Sequence, residues 1–462
     1  NNHGISESVG LWTIGLLFPE FKNAKNWKKK GKAYLEKLAD QLIYRDGTFV
    51  QHSVNYHRLM LHDYIWAIRL GQLNGESFSD KLTNKIQNAA EFLYRIQNSE
   101  NGYVPNYGKN DGALILPLDN CNYRDYRPVI QSAYYLTTGF RCYESGPADE
   151  SLFWLFGSEA LKTAVKPPKQ TNLIAEDGGY YTIRTDKSFI FTRCASYKHR
   201  PSDSDMLHVD LWWKGINIAL DPGTYSYNAP NFWKDGLAGT AFHNSVTVDN
   251  LDQMDKISSF LWLPWLKSKL LTSKISKSKL VEYWEGHHKG YCRIKSPVIH
   301  SRGIIRIGDE HWIILDRLSS KKKHGYRLHW LLQNYPYEWK DDEGQIVLKT
   351  RKGSFVVQIG VIEAKPNYSL IKGDPESPRG WKSSYYYAKE PAISVDASVV
   401  GENRLFWTVL GPEGFVIDSG QGTLNLKTET WKSSITINDH RQKLIVSDIS
   451  LSSGKYEKLN IS

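Results

Sequence analysis

Residues 161–194 read LKTAVKPPKQTNLIAEDGGYYTIRTDKSFIFTRC, and the spacing of apolar residues changes period within them. Pro167-Pro168, set between Lys166 and Lys169, cannot continue a helix and reads as a linker. After it, Tyr181 and Ile183, a turn at Thr185–Lys187, and then Phe189, Ile190 and Phe191 predict a β-hairpin over 179–194. Before it the spacing is helical. Trp27, Tyr34, Leu35, Leu38 and Leu42 recur on one face, as do Leu82, Ile86, Ala89, Phe92, Leu93 and Ile96, with Ser79-Asp80 as a start signal. Further helices are expected over 5–18, 56–70, 128–138 and 152–164. Downstream come short β-rich runs at 207–213, 245–248, 312–315, 327–332, 355–361, 404–410, 434–437 and 443–446, with Lys321-Lys322-Lys323 expected as a solvated basic turn. Helices and strands in separate blocks predict an α+β multidomain chain, helical over 1–165 and antiparallel β over 171–462.

The 462 residues suffice for two cores, and 40% hydrophobic with 23% charged residues excludes a disordered chain. No apolar run approaches the roughly 20 residues of a membrane-spanning helix. Cys121, Cys142, Cys194 and Cys292 lie too far apart for a disulfide scaffold or a CxxC zinc site. A net charge of +10 suits an anionic partner, and 16 Trp and 27 Tyr supply flat rings for sugar faces or for sandwich cores. No nucleic-acid motif accompanies that charge. The chain opens on Asn1-Asn2-His3 without an initiator Met, so processing or truncation is expected at this end.

Three polar clusters stand apart from this pattern. The first is Asn2-His3 followed by Glu7, which also suits helix capping. The second is Gln51-His52-Ser53-Val54-Asn55-Tyr56-His57, at the entrance to a helix. The third runs from His199-Arg200-Pro201-Ser202-Asp203-Ser204-Asp205 through Asp221-Pro222-Gly223-Thr224-Tyr225-Ser226-Tyr227 to Phe242-His243-Asn244. Asp-Pro-Gly alone is an ordinary turn.

In this order and spacing, together with Asn106-Tyr107-Gly108-Lys109-Asn110-Asp111-Gly112, the clusters resemble the heparinase II/III-type polysaccharide lyases. The resemblance covers most of residues 1–330. It implies an incomplete α/α toroid followed by an antiparallel β-sandwich, and the helical part is short enough that N-terminal helices are expected to be missing. It implies β-elimination at a uronic acid in a heparan sulfate-like, alginate-like or bacterial exopolysaccharide chain, met in the bacterial periplasm or outside the cell. That chemistry needs neutral donors on the sugar carboxylate, a base for the adjacent proton and an acid for the leaving oxygen. Carried over by position, Asn2 and His3 hold the carboxylate, Tyr56 is the acid and in many relatives also the base, and His199 is a second base or charge stabiliser. Gln51, Arg200 and Asn110 are expected to bind substrate. His52, His57 and His208 read as structural.

The family often carries a metal, and Asp203, Asp221 and His243 match its positions, with Asp203 where most relatives have His. An Asp/Asp/His set is oxygen-rich, so the expected ion is structural, either zinc or calcium, with no organic cofactor. Two rivals remain open. One is a toroid-type hydrolase using Glu7 with Asp63 or Asp111 as its carboxylate pair. The other is a non-catalytic polyanion-binding or export protein.

Overall fold

The computed structural model describes residues 1–420, 422–438, 443–454 and 456–461. Helices come first: α1 (Asn2–Leu17), α2 (Ala24–Leu42), α3 (Val54–Leu73), α4 (Asp80–Ile96), α5 (Arg127–Thr138), α6 (Asp149–Phe156) and α7 (Ser158–Leu161). Ser53 and Ser79 cap α3 and α4, their side chains accepting the N–H of Tyr56 and Leu82. α1 and α2 approach through glycine: a Cβ on Gly31 would lie 2.5 Å from the Trp12 backbone nitrogen. The helix expected over 152–164 is interrupted at Gly157, whose φ of +80° ends α6. Among the described residues, no helix is long and apolar enough to cross a membrane.

From Ile174 onward the chain is β. Among the described residues there is a fifteen-stranded sheet, a five-stranded sheet and two small hairpins, and every strand pairing is antiparallel. The helix-then-strand order expected from residues 161–194 therefore holds. Two long strands form the spine, His311–Leu332 and Ile393–Pro412, paired from Trp312↔Leu410 to Leu332↔Ile393. The runs expected at 312–315 and 327–332 are thus parts of one strand. Lys321-Lys322-Lys323 is exposed as expected, but it forms no turn. It lies within that strand, where the register shifts between Ser319 and His324. Likewise the run at 443–446 is a bend, and its strand begins only at Val446.

Three cores follow. Helical residues such as Trp12, Tyr64, Phe92 and Ile130 form one, and Tyr180 and Phe191 of the first hairpin complete it. A second lies on one face of the large sheet, and a third lies between its other face and the five-stranded sheet. Tyr107 packs against both Tyr180 and Phe191, with ring centroids 5.0 and 5.3 Å away, so the helical block and the first hairpin share one aromatic junction.

Below the large sheet runs a buried polar chain. The Gly290 N–H donates to His288 Nδ1 at 3.1 Å, so His288 carries its proton on Nε2 and donates to His300 Nδ1 at 3.0 Å. His300 Nε2 then donates to Asp316 at 2.7 Å, and Arg302 binds the same carboxylate at 2.7 and 2.9 Å. Burial holds both imidazoles below their ordinary pKa, so both are neutral. Arg302 also donates to the carbonyls of Leu207 and Asn244, the neighbours of His208 and His243. Arg302→Met keeps the side-chain length and removes the charge opposite Asp316. Stranding a buried carboxylate in this way costs about 3–5 kcal/mol. A urea unfolding curve is expected to lose that much, and a loss below about 1 kcal/mol would mean that Asp316 is held by His300 alone.

Candidate functional site

A cavity of about 670 Å³ opens where the helical block meets the strands. Asn2 and His3 reach it from α1, Gln51 from the turn before α3 and Tyr56 from the first turn of α3. His199 and Arg200 come from the segment after the first hairpin, and Lys109, Asp111, Tyr227 and Phe260 complete the lining. Six of the seven residues expected to act on or bind substrate therefore share one hollow. The seventh, Asn110, does not. It is buried behind the wall, where its side-chain oxygen accepts the Tyr123 hydroxyl and the Gly112 N–H, both at 2.8 Å. It shapes the loop that presents Asp111.

Several lining groups are fixed by local chemistry. Gln51 Oε1 accepts the Asn2 N–H at 2.6 Å, and its Nε2 donates to Asn2 Oδ1 at 3.1 Å. With its oxygen so engaged, the Asn2 amide has its N–H₂ left to meet a ligand. The Tyr56 hydroxyl donates to Asp111 Oδ2 at 3.1 Å and lies 3.0 Å from the Tyr227 hydroxyl. Burial chiefly, with Asp111 adding to it, drives the Tyr56 pKa far above that of an ordinary tyrosine, so Tyr56 keeps its proton. His199 Nδ1 lies 3.1 Å from the Tyr44 hydroxyl, and partial burial, helped by Lys198, lowers its pKa and favours a neutral imidazole. Arg200 stacks 5.5 Å over the Phe260 ring and has no carboxylate partner among the described residues.

Two devices hold these groups. Lys109, fully buried, pairs with Asp235 and, at 3.2 Å, with Asp203, tying the 106–112 loop to the β block. The hairpin of strands Trp381–Tyr385 and Ala388–Pro391 braces the loop after Asp221. Tyr386 Oη accepts the Tyr227 N–H at 3.1 Å, and the Ser383 N–H donates to the Pro222 carbonyl at 2.7 Å. Lys389 pins that hairpin from within a cage of Trp233, Trp381 and Tyr225, 3.6, 4.8 and 5.2 Å from the ring centroids. Tyr227 was not singled out by sequence reasoning. Its signal was its place in the Asp221–Tyr227 block.

The expected metal set needs one correction. Asp221 Oδ2 lies 3.7 Å from His243 Nε2, but the third member is Asp205, not Asp203. Asp203 is claimed by Lys109, whereas Asp205 uses one oxygen on Arg193 and leaves the other without a partner. The donor set fits a divalent cation. Asp205 Oδ1 and Asp221 Oδ2 are buried and unsatisfied, and His243 donates from Nδ1 to the Gly239 carbonyl, so that Nε2 is the atom turned to the carboxylates and would give up any proton to a bound cation. Burial pushes the Asp221 carboxyl up to about 7, a penalty that a bound cation removes. His208, read from sequence as structural, stands beside this group with Nε2 3.8 Å from Asp221 Oδ2. Its Nδ1 accepts the Asn244 N–H at 3.0 Å, so in this arrangement Nε2 bears the proton and faces the carboxylate as a donor. The signal for His208 was present: His208-Val209-Asp210 is a His-x-Asp triplet leading into a strand. Asp210 in turn accepts the Asp221 N–H at 3.2 Å.

Of the carboxylates proposed for hydrolysis, Glu7 is exposed and lies outside the cavity lining, and Asp63 is buried against the Ser6 hydroxyl at 2.7 Å. Among the described lining residues, Asp111 is the single carboxylate.

Comparison with known proteins agrees with this architecture. The family profile described as "Heparinase II/III-like, C-terminal" matches residues 168–425, and "Heparinase II/III N-terminus" matches residues 1–125. The chain belongs to the heparinase II/III family. A heparin-sulfate lyase of Bacteroides stercoris is 22% identical over 96% of this chain and 62% of its own length, and one of Bacteroides thetaiotaomicron is 24% identical over 68% and 43%. The chain spans about half the length of the curated relatives it matches. A crystal structure of heparinase III superposes with a TM-score of 0.74 at 17% identity, covering 99% of this chain and 67% of that one. The heparan sulfate lyase HepC of Pedobacter heparinus gives 0.68 at 15% identity, covering 100% and 66%. At such identities the likeness speaks for the fold.

Two measurements check the site chemistry. Adding zinc or calcium to chelator-treated protein is expected to raise the thermal midpoint, since an ion at about 100 times its Kd contributes about 2.7 kcal/mol. Asp221→Asn abolishes the rise and Asp203→Asn leaves it in place; the opposite pattern would restore Asp203 to the set. The second concerns Asp63, whose carboxyl burial pushes up to about 7. Its folded pKa exceeds its unfolded one, so its contribution to stability is present below the unfolded pKa and fades as pH rises through about 7. Asp63→Asn is therefore expected to flatten the fall in stability between about pH 4 and 8.

Proposed function

We propose that this chain carries the cleft of a polysaccharide lyase that cuts an anionic, uronate-containing polymer of the heparan sulfate kind by β-elimination. The observation that carries the reading is the cavity lining: a free amide donor, a tyrosine that burial keeps protonated at rest, a neutral imidazole and an unpaired arginine around a hollow with a single carboxylate. The relatives, named heparin-sulfate lyase and heparinase III, support the same substrate class. A bacterial periplasmic or secreted setting goes with that substrate.

In this reading the Asn2 amide and His3 meet the sugar carboxylate and stabilise the charge that builds on it as the neighbouring C–H is broken. His199 takes that proton. The electron pair forms the double bond to the adjacent carbon as the bond to the 4-linked oxygen breaks, and Tyr56 gives its proton to the departing oxygen. Tyr227 then donates to the phenolate left on Tyr56, which is what its 3.0 Å approach suits. Arg200 meets a substrate anion from above the Phe260 ring. The Asp205, Asp221 and His243 group would hold a divalent ion that neutralises buried charge beside the Tyr227 loop. The hydrolytic alternative is disfavoured because the lining lacks a second, opposed carboxylate.

The test is a screen of heparan sulfate, heparin, alginate and chondroitin for new ultraviolet absorbance from unsaturated uronate. Products heavier by one water per cut would mean hydrolysis and overturn the reading. On the polymer that responds, Tyr56→Phe is expected to abolish turnover while largely sparing binding. Asn2→Ala should lower the rate by about 10²–10³, the usual cost of losing one such donor. Near-full activity in Tyr56→Phe would pass the acid role to His199.

A further inference from the structure

The five-stranded sheet carries a second surface with the chemistry of a binding site. Its strands, Val416–Gly420, Thr423–Lys427, Lys432–Ile437, Val446–Ser452 and Tyr456–Asn460, alternate in character. Leu424, Leu426, Ile435, Ile449, Leu451 and Leu459 point into the third core. The outward residues fall in rows fixed by the register. One row is Val416, Lys427, Lys432, Ser452 and Tyr456, and the next is Asp418, Asn425, Ser434, Ser450 and Lys458. Five strands at about 4.8 Å spacing make each row about 19 Å wide. Over them lies a hollow of about 430 Å³.

Three observations set this face apart from an ordinary solvated sheet. Lys427 and Lys432 are direct cross-strand partners on the same face, an arrangement that like charges disfavour. Neither has an acidic partner among the described residues. The floor between the rims is made largely of short side chains, Ser434, Ser450 and Ser452, with Asn425 and a single carboxylate, Asp418, toward one edge. The rims themselves are Val416 and Tyr456, 69% and 71% exposed at opposite edges. A paired positive charge, hydroxyl groups beneath it and a bare aromatic ring together suit an anionic sugar chain: ammonium groups for carboxylate or sulfate, serines for hydroxyls, and the ring for a sugar face.

We propose that this face is a second foothold for anionic polysaccharide, sharing no lining residue with the cleft. That the occupant is the polymer cut in the cleft rests on the function proposed above. Holding one chain at two places raises its effective concentration at the cleft, so the face serves long polymers and not short fragments.

The test uses the whole chain in a Tyr56→Phe background, so that binding is measured without turnover, on immobilised heparan sulfate, alginate and dextran. Heparan sulfate carries sulfate and carboxylate, alginate carboxylate alone, and dextran neither. The Lys427→Ala/Lys432→Ala pair is expected to weaken binding of the long anionic polymer about tenfold or more and to flatten its salt dependence. Tyr456→Ala weakens binding with both charges intact. In the otherwise native chain the lysine pair should raise KM on long polymer several-fold and leave kcat, and all kinetics on a tetrasaccharide, unchanged. Its thermal midpoint should hold or rise, because a repulsion is removed; if it falls, Tyr456→Ala decides. Unchanged polymer affinity in both variants, or equal retention on dextran, would overturn the proposal. If lysine-dependent binding is seen without any elimination, the lyase reading fails and the face stands. If elimination proceeds and the variants bind like the parent, only the face fails.

Discussion

The buried pairing of Arg193 with Asp205 is the interaction on which the junction and the cleft both depend. Both side chains are inaccessible to solvent, so neither charge is tolerable without the other. Arg193 lies 5.5 and 5.6 Å from the rings of Tyr180 and Tyr107 and also donates to Tyr197 Oη at 3.2 Å. The same guanidinium therefore holds the aromatic contact between helices and strands and spends its charge on one oxygen of Asp205. The other oxygen remains for the Asp221–His243 group. Moving Arg193 would unsettle the domain junction and the Asp205–Asp221–His243 group together.

The cleft is assembled from both blocks and cannot be rigid unless the blocks are tied at several points. The ties differ in kind. Tyr107, Tyr180 and Phe191 supply apolar area, Lys109 with Asp203 and Asp235 supplies buried charge, and the 381–391 hairpin supplies backbone hydrogen bonds and the Lys389 cage. Each tie ends within a few residues of a cavity-lining group. Lys109 itself lines the hollow, and the hairpin ends on Tyr227. That distribution explains why side chains as distant in sequence as Asn2 and Tyr227 can be held to one geometry.

How much of this was legible in the sequence depended on the range of the interaction involved. The change of period across Pro167-Pro168 and the caps at Ser53 and Ser79 are local, and the helices and first hairpin follow from them. The fusion of two runs into the strand His311–Leu332 is set by pairing with residues far along the chain, those of Ile393–Pro412. The cavity set was legible as motif order for Asn2, His3, Gln51, Tyr56, His199 and Arg200. The choice between Asp203 and Asp205 was not, because it turns on which buried cation reaches which carboxylate. Lys109 and Arg193 stand far apart in sequence, and nothing in the Ser202–Asp205 run says which of them faces which aspartate. That Asn110 lies behind the cavity wall was equally hidden, since its partner Tyr123 stands thirteen residues on.

Tyrosine can in principle give or take a proton, and the electrostatics around Tyr56 select one direction. To act as a base it would have to be ionised before the substrate reacts. Burial and the carboxylate of Asp111, 3.1 Å away, both oppose that charge. To act as an acid it needs only to hold its proton until negative charge appears on a nearby oxygen. At that moment the preference reverses, because the developing alkoxide is the stronger base and Tyr227, 3.0 Å off, can donate to the new phenolate. Tyr227 is itself kept protonated by burial and by Tyr56. In the proposed reaction a neutral imidazole at His199 would supply the complementary base with no charge to remove first. In the proposed elimination the two proton transfers would thus be divided between groups whose surroundings push them opposite ways, the phenol toward keeping its proton and the imidazole toward lacking one.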